Sequence, residues 1–492
     1  MYFPRFIRSK IFFLLVVWRI LSIFVVQTYH VPDEYWQSLE VAHKLTFGYG
    51  YLTWEWLIGI RSYFYPFIFS ILYSILKFLN FDNVHLLIYL PRLFHALLSA
   101  YAEYKFYIWT ESKFALFNLC INWFWYYCAS RTLINSFETC LTIIALSEYP
   151  WKNNPKRNLK FLWIVGLLCF ARPTAAVVWI PLCIYYLFKE KFLFLRYLLI
   201  GTICFAISTT IDVICYRKFI LTPWEFFKIN ILNNISAQYG EWQMYWYFTS
   251  GLPVILGLNY ALLPFAIFKA CKNYKSMFKS LILVLTTFWT VGVYSLIPHK
   301  EFRFILPVLP MLLYVIHESL LHKKLAKSKR NILIFLLTIS NVIPGIFFSY
   351  FYQHGAMSVI ENLRHDVQTT NSSNINIIFL TNCHATPYYS HLHLNVPMRF
   401  LTCEPNLDQR ENYYNEADIF FANPMKYLDK IYFKTRSPSH VIVRDYTVNM
   451  IEPFLRDYKI IATCPDVYLL DKFIALNRKH NDFHLYKHRL LK

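Results

Sequence analysis

Residues 11 to 28, 63 to 80, 85 to 108, 193 to 215, 248 to 270, 280 to 297, 304 to 321 and 331 to 352 are apolar runs. Each has about 17 to 25 residues, enough as a helix for roughly 30 Å of hydrocarbon, and their repetition argues for a polytopic membrane protein. Composition agrees: of 492 residues, 57% are hydrophobic and only 16% charged, a balance that soluble chains of this size rarely reach. The expected fold is mainly α, a membrane helix bundle with roughly 11 to 13 crossings.

After residue 352 the pattern changes. "INIIFLTNCH", "ADIFFANP", "SHVIVRDY" and "YKIIATC" are short β-rich runs bounded by Asn, Pro and Asp, too short to span as helices. The sequence therefore predicts a multi-span membrane domain over 1–352, with a first loop at 29–62, and a small α/β domain over 353–492.

The formal charge of +20 does not point to nucleic acid, because Lys and Arg sit in short clusters between apolar runs, which marks cytoplasmic loops. Arg5, Arg8 and Lys10 precede the first run, and no small-x-small cleavage site follows it, so an uncleaved first helix is expected. "KACKNYKSMFK" (269–279) and "HKKLAKSKR" (322–330) should be cytoplasmic as well. The first loop, the loop at 216–247, "IPHKEFRF" (297–304) and the tail then share the opposite face. The sequons at Asn234 and Asn371 fall in two of those regions and together favour an endoplasmic-reticulum lumen. "WKNNPKRNLK" (151–160) and "KEKFLFLR" (189–196) should be cytoplasmic. Residues 161–188 then form a short hairpin broken at Arg172-Pro173, and residues 114–149 hold an odd number of crossings.

"HVPDEYWQSLEVAH" (30–43) places Asp33 and Glu34 side by side where the first run ends. Asp33, after Pro32, suits the N-cap of a helix from about residue 34 to 45, with Tyr35, Leu39, Ala42 and Leu45 along one side lying on the membrane surface. Adjacent carboxylates at an interface also suit a base that takes a proton from a hydroxyl, since partial burial and a like charge strengthen a carboxylate as a base. "HKEFRF" offers the complementary charge in His299, Lys300 and Arg303. Lys300 and Arg303 share a face if Pro298 opens the next helix; otherwise this is an interfacial basic loop. Arg172 interrupts an apolar stretch, which marks a site unless it pairs with a local carbonyl or acid.

Cys383, His384, His391 and His393 lack a fourth ligand at useful spacing, so no metal is expected. Cys383 and Cys403 could pair in an oxidising lumen. There is no P-loop, other Gly-rich phosphate loop or GxSxG motif. Acids to activate a hydroxyl, cations to hold a departing phosphate and a donor embedded in lipid describe an inverting glycosyl transfer from a polyprenyl-phosphate sugar.

"VPDEYWQSLEVAHKLTFGYGYLTWEW" and "IRSYFYP" (within 31–66), "RTLINSFETCLTIIAL" (131–146), "ARPTA" (171–175), "GLPVILG" (251–257), "HKEFRFILPVLP" (299–310) and "CHATPYYSHLHLNVPMRFLTC" (383–403) resemble the GPI mannosyltransferases that add the third mannose, the PIG-B type, within the GT-C superfamily. The likeness covers nearly the whole chain. The acid pair and the HKE-x-RF motif mark the wider dolichol-phosphate-mannose family, and the first-loop block and the tail single out this branch. Where relatives tend to read Tyr-Gly-x-His-Pro-Trp, this chain has "YGEWQMYWYF" (239–248), so no acceptor contact is carried over to that loop.

The resemblance implies a GT-C bundle in the endoplasmic-reticulum membrane and α-1,2-mannosyl transfer from dolichol-phosphate-mannose to a dimannosyl GPI glycolipid precursor in the lumen. It implies no cofactor besides the lipid-linked donor and no catalytic metal. Asp33 and Glu34 would line the active site, with Asp33 as base. His299, Lys300, Arg303 and Arg172 are candidates for the donor phosphate, and Glu40, Trp54, Glu55, Arg61 and Glu301 for the acceptor side or lining. The competing readings are a sibling mannosyltransferase, acting on N-glycan precursors or adding a fourth GPI mannose, and a lipid-linked-sugar transporter, which would show inverted repeats and acids near the midplane.

Overall fold

The computed structural model describes residues 5–151, 159–190, 193–321, 327–370, 375–432, 437–466 and 481–491. Helix α1 is Arg5–Val25. A π-turn at Tyr35–Leu39 runs into α2, Glu40–Phe47, followed by α3, Trp54–Ile58, α4, Phe64–Phe78, and α5, Val84–Thr110. Next come α6, Lys113–Ile121, α7, Trp123–Ala129, α8, Ile134–Glu148, α9, Lys160–Ala171, α10, Ala175–Lys189, and α11, Phe194–Tyr216. They are followed by α12, Thr222–Phe227, α13, Leu252–Leu256, α14, Asn259–Lys272, α15, Phe278–Ser295, α16, Leu309–Ile316, and α17, Lys327–Ile346.

Among the described residues, five helical segments are long and apolar enough to cross a membrane: Val84–Thr110, Phe194–Tyr216, Phe278–Ser295, Phe302–Leu320 and Ser328–Phe351. The pair Tyr247–Leu256 and Asn259–Lys272, bent by 108°, makes a sixth if counted as one span, and α4, α9 and α10 are apolar but shorter. The fold is a helical membrane bundle with a small sheet towards its C-terminus.

The chain divides into two compact units. Unit 1 is Met1–Phe24, Glu55–Phe67 and Arg92–Gly345. At one end of it the Lys279 ammonium lies 4.7, 5.1 and 4.3 Å from the rings of Trp109, Trp151 and Tyr314, and Ser112 Oγ meets His317 Nε2 at 2.7 Å. At the other, Asn135 donates to the Arg303 carbonyl (3.2 Å) and Tyr294 to that of Thr174 (3.1 Å). Residues 109 and 151 therefore share an end, and the chain between them makes an even number of passes, out through α6 and α7 and back through α8. The break between α6 and α7 comes from Asn122, which accepts from Trp125 N–H (2.9 Å) and donates to the Ile255 carbonyl (2.8 Å).

The odd number expected for 114–149 fails because 63–80 was counted as a crossing. In unit 2, which is Val25–Trp54, Ile68–Pro91 and Ile346–Lys492, the end of α4 returns to the first loop. Lys77 Nζ donates to the Thr46 carbonyl (3.1 Å), and Asp82 Oδ2 lies 3.7 Å from His393 Nε2. The run is apolar enough to span, yet α4 is too short and leaves the chain on the side it started from. α5, about 40 Å long at 1.5 Å per residue, makes the crossing.

Unit 2 also carries a five-stranded sheet, β1 Ile377–Leu380, β2 Met398–Phe400, β3 His440–Arg444, β4 Tyr458–Cys464 and β5 Phe483–His488, in the order β2-β1-β3-β5-β4. β1 runs parallel to β2 and β3, while β5 is antiparallel to β3 and β4. α18, Gly355–Thr369, precedes the sheet, and α19, Tyr389–Leu392, lies between β1 and β2. Ile378, Leu380, Val441, Val443, Phe420 and Leu455 share its core. Of the four runs read as β-rich, "ADIFFANP" is instead helical over Glu416–Ala422, because Asn415 and Asp418 form a reciprocal capping box.

Candidate active site

Helical backbone runs from residue 33 to 47, and the Pro32 carbonyl accepts from the N–H groups of Tyr35 (3.0 Å) and Trp36 (2.9 Å). Pro32 thus holds the N-cap position, and Asp33 and Glu34 sit inside the first turn, where the free amide ends favour negative charge. Asp33 is half-buried and Glu34 buried. The helix is no surface amphipath. Tyr35, Leu39 and Ala42 are buried as expected, but so are Gln37, Ser38, Glu40 and His43, and only Leu45 of the expected stripe is exposed.

What buries that polar side in unit 2 is the segment 384–393, here called the strap. Its contacts follow the helix in register. His384, at φ 56°, stacks edge-on against Trp36 (4.4 Å) and lies in the field of Asp33. Trp36 Nε1 donates to the Thr386 carbonyl at 3.1 Å. Glu40 accepts from Tyr388 N–H (2.8 Å), Ser390 N–H (3.1 Å) and Ser390 Oγ (2.5 Å). His43 Nε2 meets His393 Nδ1 at 2.9 Å.

Burial raises the Glu40 carboxyl to about 7 against those hydrogen bonds, which pull it down. Burial lowers His43 to about 3, with His393 adding to the shift, and His384 to about 4, with Asp33 acting the other way. Cys383 and Cys403 form a disulfide that anchors the start of the strap, with a Cα–Cα distance of 5.9 Å. These two sulfurs and His384 lie close together, but in a disulfide they offer no thiolate to a metal.

In unit 1, Glu301 gathers its neighbours. Arg303 donates to it from Nε (2.6 Å) and Nη2 (2.7 Å), and His299 Nε2 lies 3.1 Å away. Burial alone would raise the Glu301 carboxyl, but the Arg303 charge and the hydrogen bonds from His299 and Arg303 outweigh it and hold the group well below the usual carboxylate range.

Pro298 does not open a helix; the next turns are a 3-10 segment at Phe302–Val308. Lys300 and Arg303 consequently share no helical face. Lys300 Nζ donates to the carbonyls of Trp242 (2.9 Å), Ile297 (2.6 Å) and Pro298 (3.4 Å), and so ties its own loop to the one at 239–248.

Arg172 Nε lies 2.8 Å from Glu138 Oε2, a charge contact without hydrogen-bond alignment. Its guanidinium stands 5.8 Å from the Phe304 ring and that of Arg303 5.4 Å from the same ring, so unit 1 brings these two cations to one aromatic. Glu55 accepts from Arg61 at 3.1 and 2.7 Å, and Trp54 is buried. Asn234 is exposed, with φ 50°; Asn371 lies outside the described residues.

Sequence reasoning missed Glu138, although it falls in "RTLINSFE" one helix before Arg172. It also missed a buried ion pair between Arg19 and Glu103 in unit 1, which Trp125 Nε1 joins at 2.8 Å. An Arg inside the first apolar run was the available signal.

The comparisons agree with one another. The chain is 44% identical to "GPI mannosyltransferase 3" of Drosophila melanogaster over 465 residues, 92% of this chain and 82% of that one. It is 40% identical to "GPI alpha-1,2-mannosyltransferase 3" of Homo sapiens over 454 residues, 89% of this chain and 80% of that one. Its fold is similar to that of ArnT from Cupriavidus metallidurans bound to undecaprenyl phosphate, with a TM-score of 0.57 at 10% identity, covering 97% of each chain. The bundle is thus of GT-C type. The model of the Alg9-like mannosyltransferase family matches residues 10–393, and the chain belongs to that family.

Proposed function

We propose that the chain transfers the third mannose, in α-1,2 linkage and with inversion, from dolichol-phosphate-mannose to a dimannosyl GPI precursor at the luminal face of the endoplasmic-reticulum membrane. The observation that carries this reading is identity of 40 to 44% across about nine-tenths of the chain with relatives named GPI mannosyltransferase 3 or GPI alpha-1,2-mannosyltransferase 3. The site chemistry fits. Asp33 takes the proton of the acceptor hydroxyl, whose oxygen attacks the anomeric carbon. The bond from that carbon to the phosphate oxygen breaks, and dolichol phosphate leaves. Within unit 1, the Arg172 and Arg303 guanidiniums that meet at Phe304 are of the sign that binds a phosphate, and the lipid phosphate named with ArnT is of the same chemical kind.

The test is mannosyl transfer in microsomes with dolichol-phosphate-mannose and a dimannosyl GPI lipid, for wild type and Asp33→Asn at matched, correctly inserted levels. Wild-type transfer that falls by more than about 100-fold in the variant supports the reading. Wild-type transfer that persists in the variant removes Asp33 as the base, and a wild type that instead elongates a trimannosyl lipid overturns the acceptor.

A further inference from the structure

The one-turn helix α19 is gripped at both ends by residues one turn apart on α2. At its start, Tyr388 has no capping side chain of its own, and the N–H groups of Tyr388 and Ser390 donate to Glu40 instead, at 2.8 and 3.1 Å. The Ser390 hydroxyl adds a third donor at 2.5 Å. At its end His393, left-handed at φ 50°, brings Nδ1 within 2.9 Å of His43 Nε2. Glu40 is fully buried, and the donors on its carboxylate are neutral strap groups clustered at the start of a helical turn. Both carboxylate oxygens are engaged with the strap, which suits Glu40 to holding structure and not to binding a sugar hydroxyl.

We infer that Glu40 is a positioning residue of the mannosyl transfer: by capping the strap it locks the helix that carries Asp33, and it touches neither donor nor acceptor. The inference rests on the function proposed above. Three features favour positioning over simple stabilisation of the fold. The clamp lies on the same helix as Asp33. The strap begins at His384, in the field of Asp33. It is anchored there by the Cys383–Cys403 disulfide and by Tyr29, whose hydroxyl donates to the His384 carbonyl at 2.5 Å.

The experiment compares full-length wild type, Glu40→Gln, Ser390→Ala and Ser390→Thr. The readouts are kcat and KM for both substrates, and hydrogen exchange over residues 33–47 and 384–393. Glu40→Gln should lower kcat about 10- to 100-fold, as misplacement of a reacting group does, with both KM values within about twofold of wild type. Exchange should quicken in both segments together, Ser390→Ala should do the same more mildly, and Ser390→Thr, which keeps the hydroxyl, should restore the wild-type rate. A raised acceptor KM with kcat preserved would make Glu40 an acceptor contact and overturn the inference, as would wild-type kcat and exchange in Glu40→Gln. Should wild type itself transfer no mannose to the dimannosyl lipid, the functional reading fails on its own. The exchange arm then decides the clamp: coupled loosening of both segments supports it, and no change overturns it. If Glu40→Gln does not accumulate, Ser390→Ala carries the same comparison.

Discussion

Arg303 grips Glu301 through two parallel hydrogen bonds, 2.6 Å from Nε and 2.7 Å from Nη2. A guanidinium makes this fork and an ammonium cannot, so Arg303→Lys keeps the charge and loses the geometry. Hydrogen bonds to a charged partner are worth about 1.5–3 kcal/mol, and transfer should fall about 10- to 100-fold at matched protein level. Undiminished transfer by Arg303→Lys would show that charge alone suffices there.

Glu138 is fully buried beside Arg172, whose side chain is 12% exposed. Removing one partner of such a pair strands the other, at about 3–5 kcal/mol, whereas replacing both with apolar groups is often neutral. Glu138→Leu should therefore melt well below wild type in detergent, and Glu138→Leu with Arg172→Leu should recover most of the loss. Equal melting of the single and double variants would mean that the two charges are not coupled.

The buried imidazoles set the acid limit of unit 2. His43 is lowered to about 3 and His384 to about 4, so their contribution is present above about 6.5, the ordinary histidine value, and is lost as pH falls through the folded values. Glu40, raised to about 7, acts in the opposite sense: its contribution is present below the ordinary carboxylate range and lost as pH rises through 7. Burial also lowers His393, so with three imidazoles against one carboxyl, strap protection in hydrogen exchange, corrected for intrinsic rates, should grow from pH 4 to about 6.5 and level off above 7. His43→Gln should flatten the acid limb. A slope that is the same in wild type and His43→Gln would exclude this histidine as a source.

The Cys383–Cys403 disulfide closes a loop with a sequence separation of 20 residues, for which chain entropy gives about 3 kcal/mol. Replacing both cysteines by Ser should lower the melting temperature of unit 2 and, because His384 follows Cys383 directly, quicken exchange in the strap before the sheet is affected. Sheet peptides that loosen first would place the effect of the bridge elsewhere.

What could be read from the sequence, and what could not, divides by the range of the interaction. Asp33 and Glu34 stand out because a proline and two acids at the end of an apolar run are local signals. The surface position expected for their helix was wrong because the groups that satisfy Glu40 and His43 lie about 350 residues downstream, where no periodicity argument reaches. Hydropathy found the run at 63–80 correctly but carries no information on direction, so the turn of α4 back to Thr46 was invisible, and the error passed into the count for 114–149. Arg172 was legible as a charge in an apolar stretch, and a local acid was one of the partners weighed for it. Naming Glu138 required knowing that α8 and α9 run side by side. In "ADIFFANP" the apolar triplet outweighed the Asn415 cap, which needed only an offset of three to be seen.

The π-turn at Tyr35–Leu39 holds one residue more than an α-helical turn of the same rise. Everything before it is wound round by about 100° relative to a plain helix. Wound as a plain α-helix over the same residues, the chain would present Glu34 where Asp33 now stands and carry Asp33 about 100° further round. Two adjacent carboxylates of nearly identical chemistry are thus told apart by helical pitch, and a single-codon deletion inside the turn, which removes its extra residue, would leave both where they stand.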